Sequence, residues 1–117
     1  MRIHNEIAGE TVVAELNGSE AARDFAAMLP LDLTLEDYAS TEKVSDLPGR
    51  LSVEGAPDGM DPDVGDITYY APWGNLAIFY RDFSYAKGLV GLGRIVSGRD
   101  AMRRPGPLAA RITAAAP

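Results

Sequence analysis

The chain has 117 residues, 46% hydrophobic and 24% charged, which is the size and make-up of one folded domain spanning residues 1–117 with its own core. With no cysteine it can hold no disulfide framework, thiolate metal site or cysteine nucleophile, and its one histidine, His4, stands alone near the start. The net charge of −6 argues against nucleic acid or an anionic membrane surface as a partner, since both select a cationic face. There is no run of about 18 apolar residues, and the first residues lack the apolar block of a secretory signal, so the cytoplasm is the expected compartment. The charge is uneven along the chain. Residues 1–80 carry 15 acids and 4 bases (net −11) and residues 81–117 carry 2 acids and 7 bases (net +5). The basic end is read as strands that lie beside acidic ones and neutralise them; a basic binding patch is the alternative.

Taken in order, 2–7 and 11–16 are two short runs separated by Ala8-Gly9-Glu10, which predicts a hairpin. Ser19 is placed to cap a short helix in which Ala22, Phe25, Ala26 and Leu29 form one buried stripe, and Pro30 stops it. This helix is expected to lie over one opening or face of a sheet. Residues 31–38 alternate, with Leu31, Leu33 and Leu35 inside and Asp32, Thr34 and Glu36 outside, the pattern of a half-buried strand. From Ser40 to Asp66 periodicity gives way to Pro48-Gly49, Asp58-Gly59 and Asp61-Pro62, with one short strand expected at 51–53.

Residues 67–71 and 76–80 are aromatic and β-branched, and Pro72-Trp73-Gly74-Asn75 supplies a turn between them. Both arms are apolar on both faces. Ile67, Tyr69, Ala71, Leu76, Ile78 and Tyr80 point one way, whereas Tyr70, Ala77 and Phe79 point the other. Such a hairpin needs a core on one side and a helix, a partner or a ligand on the other. Residues 81–87 are read as a loop, and 88–96 as a strand whose Gly91 and Gly93 suit a bulge, a tight corner or the close approach of another chain. A helical turn at 98–102, a closing strand at 108–113 and a frayed tail at 114–117 complete the reading. Seven or eight short strands, one main helix and one short helix are hidden from edge pairing by a closed barrel or a sandwich. No internal repeat is visible.

The order of Met28-Leu29-Pro30-Leu31, Leu33-Thr34-Leu35, Glu42-Lys43, Leu47-Pro48, Gly65-Asp66, Tyr69 to Asn75, Phe79-Tyr80 and Leu92-Gly93-Arg94-Ile95 resembles the small stand-alone cyclophilin-like proteins of bacteria and archaea. The resemblance implies a mainly β fold: a closed barrel of about eight strands with a helix over one open end. It imports a fold more than an activity, because the small family is largely uncharacterised. True cyclophilins are peptidyl-prolyl isomerases that set an arginine beside a proline pocket, carried by Phe-His-Arg and Gln-Gly-Gly-Asp runs. Neither run is present, so no isomerase residue carries over to a numbered position.

Other chemistry finds little support. The acids Glu54, Asp58, Asp61, Asp63 and Asp66 do not follow the spacing of a calcium loop and are read as turn formers, with no metal and no cofactor expected. Gly88, Gly91 and Gly93 lie within a strand and in the wrong order for a phosphate loop. Ser84 and Ser97 have no arranged base. What stands out is an aromatic surplus, Tyr69, Tyr70, Trp73, Phe79, Tyr80, Phe83 and Tyr85 in a short span. Some of these rings fill the core; those outside are read as lining a shallow groove for a peptide or a small acidic molecule. Tyr70, Trp73, Phe79 and Phe83 form its walls, with Arg81 or Arg94 as a carboxylate clamp. Non-catalytic binding is therefore the expected function. A prolyl isomerase with a displaced site and a homo-oligomer that buries the same face are the alternatives.

Overall fold

A computed structural model describes residues 1–115. Eight antiparallel strands close into a barrel: β1 (Arg2–Ile7), β2 (Glu10–Leu16), β3 (Leu31–Tyr38), β4 (Glu42–Asp46), β6 (Asp66–Tyr70), β7 (Asn75–Phe79), β9 (Leu89–Ser97) and β10 (Leu108–Ala114). Their order around the wall is β1, β10, β3, β4, β7, β6, β9, β2. β5 (Gly59–Met60) and β8 (Ala86–Lys87) pair as a separate two-stranded ribbon. Closure leaves no long unpaired edge, which is how a short chain carries so much strand without offering a template for aggregation.

The first hairpin turns on Ala8 and Gly9, both at positive φ (51° and 80°), the backbone that matches a two-residue turn to the twist of its strands. Helix α1 (Glu20–Ala27) starts where Ser19 accepts the backbone N–H of Ala22 at 3.1 Å. Ser19 is itself held by Asn17, whose Oδ1 accepts from both its N–H and its hydroxyl. Removing the cap with Ser19→Ala should lower stability by about 1 kcal/mol in denaturant unfolding, with the strand signal of circular dichroism unchanged. Along α1, Ala21, Ala22 and Phe25 are buried while Ala26 packs partly against the core; the helix ends at Ala27, so Leu29, expected within it, packs there from beyond its Met28 cap. Phe25 has no exposed surface and lies among Ile3, Val12, Ile67, Ile78 and Ile112, so the helix closes one end of the barrel with its largest side chain inside.

The segment expected to be mostly irregular, 40–66, departs from its pattern in three places. Residues 51–53 are not a strand; Leu51 is buried as an anchored loop residue whose N–H donates to the Tyr69 hydroxyl at 3.3 Å. Residues 42–46 are a barrel strand that has Val44 as its one aliphatic residue, because its inward position is taken by Lys43 rather than by a hydrophobe. Gly59–Met60 is a strand only by pairing with Ala86–Lys87, residues expected to be loop. At the other end, Ala114 belongs to β10 and the Ala115 N–H donates to the Arg2 carbonyl, so the expected fraying does not reach them; residues 116 and 117 lie outside the described residues.

Of the roles expected for the glycines of β9 the bulge occurs, and the backbone that comes close is not another chain but β2 of the same barrel. The register slips between Ile67, opposite Gly93, and Thr68, opposite Gly91. At Gly93 the backbone of β2 comes so near that a Cβ would stand 2.8 Å from the Cα of Leu16. The charge segregation is likewise resolved by topology. β10 lies between β1 and β3, where Arg111 binds Asp32 at 2.8 Å, and Arg94 of β9 faces Glu15 of β2 and Asp66 of β6.

Candidate functional site

The two-faced hairpin is β6 and β7. On its inner face Ile67, Tyr69, Leu76, Ile78 and Tyr80 join the barrel core. Its outer face forms three rungs set by strand register. Tyr38 of β3, Glu42 of β4 and Phe79 of β7 lie side by side; next come Val44, Ala77 and Thr68; then Asn75, Tyr70 and Leu89. On a barrel this face would ordinarily meet water. Here Ala77, Phe79 and Leu89 are buried in a second hydrophobic cluster, covered by Met60 and Ala86 of the β5–β8 ribbon. The ribbon sits tightly because Gly59 presents no side chain where a Cβ would stand 2.8 Å from the Cα of Lys87.

The cover is incomplete, and a groove of about 210 Å³ remains over the rungs. Trp73, 55% exposed, forms one wall and stands edge-on to Tyr38 and to Tyr70, with ring centroids 5.3 and 5.2 Å away. Phe83, 45% exposed, forms another by stacking on Phe79 at 6.3 Å. Edge-to-face packing of this kind holds rings at defined angles without covering them, so their free faces remain available.

Two polar residues border this apolar setting. Glu42 lines the groove, and burial raises its carboxyl above the ordinary value, opposed by a hydrogen bond from the Thr41 hydroxyl to Oε1 at 3.3 Å. Among the described residues no cation lies within 4.0 Å of it, whereas its neighbour Lys43 points to the opposite side of the wall and is fully paired there. Asn75, only 5% exposed, also lines the groove, and its carboxamide oxygen has no hydrogen-bond partner. A buried carbonyl without a donor forfeits about 1–3 kcal/mol, a cost carried by the fold itself because the oxygen is closed off from solvent.

Of the six residues expected at the site, the structure gathers four, Tyr70, Trp73, Phe79 and Phe83, around the groove. Arg81 is exposed past the end of β7, with its backbone N–H bonded to the Thr41 carbonyl, and does not line it. Arg94 lines a different hollow with Glu15 and Asp66, and Met60 of the ribbon stands between the two. The expected guanidinium clamp is therefore not assembled on this face. Tyr38, Glu42 and Asn75 belong to the groove and were not foreseen. Tyr38 and Glu42 enter it only through the pairing of β3, β4 and β7, and Asn75 reads in sequence as a turn former.

The remaining candidates show no shared chemistry. Among the described residues no three of His, Asp and Glu are grouped to hold a metal ion. Asp66 and Asp82 instead accept the backbone N–H groups of Asp63 and Val64, as turn residues do. Burial raises the carboxyl of Asp66. His4 lies on β1 between Val13 and Thr113, with β2 separating it from Ser97 on β9.

The same architecture is found in the solution structure of a hypothetical protein from Archaeoglobus fulgidus. The two match with a TM-score of 0.72 at 19% sequence identity, over 98% of this chain and 95% of that one, a likeness of fold alone. Among curated proteins, none matches the chain. The family model described as the cyclophilin-like family matches residues 5–113, from the middle of β1 to the end of the barrel in β10, and the chain belongs to that family.

Proposed function

We propose that this cyclophilin-like barrel is a non-catalytic binding protein that holds a small ligand in the outer-face groove between Tyr38, Tyr70, Trp73, Phe79 and Phe83. The observation that carries this reading is the combination of an apolar floor, half-exposed aromatic walls and a part-buried Glu42 carboxylate with no cation of the described residues within 4.0 Å. Monomeric proteins seldom leave such a face open without a use for it, and ligand sites are built from apolar walls with a few convergent polar groups. The groove, at about 210 Å³, is smaller than the roughly 300–1,000 Å³ typical of drug-sized ligands. It suits a small molecule or a single peptide side chain. Catalysis of prolyl isomerisation has no support here: the isomerase runs are missing from the sequence and no arginine lines the groove.

Trp73 is the single tryptophan of the chain, so its emission reports the groove directly. A metabolite screen by thermal shift should yield ligands that raise Tm and also change Trp73 emission. Trp73→Ala should weaken such a ligand about tenfold, or ~1.4 kcal/mol, and lower Tm by only a few degrees, because the ring is more than half exposed and gives up two edge contacts. Hits that raise Tm while leaving Trp73 emission and the Trp73→Ala affinity unaltered would place binding elsewhere. A solution mass that doubles as the face is buried would identify it as a subunit interface.

A further inference from the structure

Resting on the groove as a ligand site, we infer that its ligand class is a free arylalkyl ammonium ion, with the cation at Glu42 and the ring against the aromatic walls. The charge decides the class first. The groove carries one ionisable carboxylate, no cation of the chain lies within 4.0 Å of it among the described residues, and neither nearby arginine lines the walls. An anionic ligand would meet Glu42 with like charge. A neutral one would leave it desolvated and unpaired, and burial already holds this carboxyl above its ordinary range. A cation removes that cost, and it is also what the faces of Tyr38, Trp73 and Tyr70 attract, since each ring presents a negative quadrupole.

The shape decides the rest. Asn75 and Phe79, the rung partner of Glu42, are four residues apart on β7, about 13 Å along a strand. Trp73 touches both ends, packing against Tyr70 beside Asn75 and against Tyr38 beside Glu42. One ring with a short alkyl arm fits along the walls between the two ends. An ammonium at the tip of the arm donates to Glu42, and the ring lies along the walls towards Tyr70.

The test is a titration of Trp73 emission with three molecules of one size that differ in charge: tyramine, para-ethylphenol and para-hydroxyphenylacetate. Tyramine is expected to bind at least tenfold more tightly than the neutral phenol, and the anion to bind more weakly than either. In Glu42→Gln the tyramine advantage should vanish while affinity for para-ethylphenol holds. Tm of this variant should not fall, because the substitution removes a desolvated charge; should it fail to fold, the wild-type charge series decides alone. Equal affinity for the three molecules, or tighter binding of the anion, overturns the ammonium assignment and leaves the groove as a site for another class. No response to any of the three overturns it as well. The wider claim of a ligand groove then stands or falls on whether other hits of the metabolite screen perturb Trp73.

Discussion

Gly93→Ala is expected to lower the stability of the barrel by about 3 kcal/mol, or to prevent folding, measured as the midpoint shift in urea. A Cβ at this position would run into the Glu15 carbonyl and stand 2.8 Å from the Leu16 Cα. Both obstacles are backbone, so no side chain can swing aside, and β2 and β9 would have to separate where they pair. An open sheet could splay an edge strand; a closed barrel has none to give, and the displacement would spread through β2 to β1 or through β9 to β6. Gly18 is the matched control. Its φ lies outside the left-handed region and nothing stands within 4 Å of the place a methyl would take, so Gly18→Ala should be nearly neutral. Equal stability of the two variants would refute the close-approach account of the glycine-rich strand.

The second large effect lies on the inner side of β4. Lys43 has no exposed surface, yet its ammonium is satisfied three ways: by the Arg104 carbonyl at 2.6 Å, the Gly106 carbonyl at 3.0 Å and Asp37 at 2.9 Å. Asp37 in turn accepts from the Tyr80 hydroxyl at 2.8 Å and from the Gly106 N–H at 3.0 Å. These bonds tie β3, β4, the end of β7 and the loop before β10 into one knot. Asp37→Ala leaves a buried cation without its counter-charge. Losing a partner from a fully buried pair costs about 3–5 kcal/mol, but Asp37 is about one third exposed, and a loss of about 2 kcal/mol is expected. A change of less than about 0.5 kcal/mol would show that the two carbonyls suffice for Lys43.

The same carboxylates set the response to pH. The Lys43 hydrogen bond is the chief cause that holds the Asp37 carboxyl below its ordinary value of 3.8, outweighing the opposing effect of burial. Its contribution is present above 3.8 and is lost as pH falls below it. Burial raises Glu42 and Asp66, so their folded forms take up protons before the unfolded chain does. Acidification from neutrality towards 4.5, the ordinary value for Glu42, therefore adds stability, and further acidification below 3.8 removes it. Tm should peak in mildly acid solution, and the acid limb should flatten in Asp37→Ala. At the alkaline end, burial pushes the Tyr80 hydroxyl up to about 12 from 10.0, so its contribution is lost across that interval.

What could be read in advance divides along a physical line. The β1–β2 hairpin, the Ser19 cap, the alternation of β3 and the two-faced β6–β7 arms are written in local chemistry, and all four hold. β4 carries no local signal, because a buried lysine replaces the hydrophobe that alternation would show, and three acceptors distant in sequence make that tolerable. β5 and β8 are two residues each and exist only through one another. The need for cover over Tyr70 and Phe79 follows from the hairpin itself, whereas the identity of the cover, Met60 and Ala86, does not. Arg94 faces a hollow other than the expected one for a related reason. A single strand shows that it shares a side with its neighbours, but the β9 bulge and the position of Met60 decide which neighbours it meets.

Chemical-shift mapping with a ligand that raises Tm tests most directly whether the outer face of β6–β7 is a ligand groove. The expected result is saturable shifts concentrated at the Trp73 indole N–H, the Asn75 side-chain amide and the Glu42 and Phe83 backbone, with the Arg94 hollow unmoved. Shifts centred on Gly91 and Arg94, or the same groove signals moving with protein concentration alone, would contradict it.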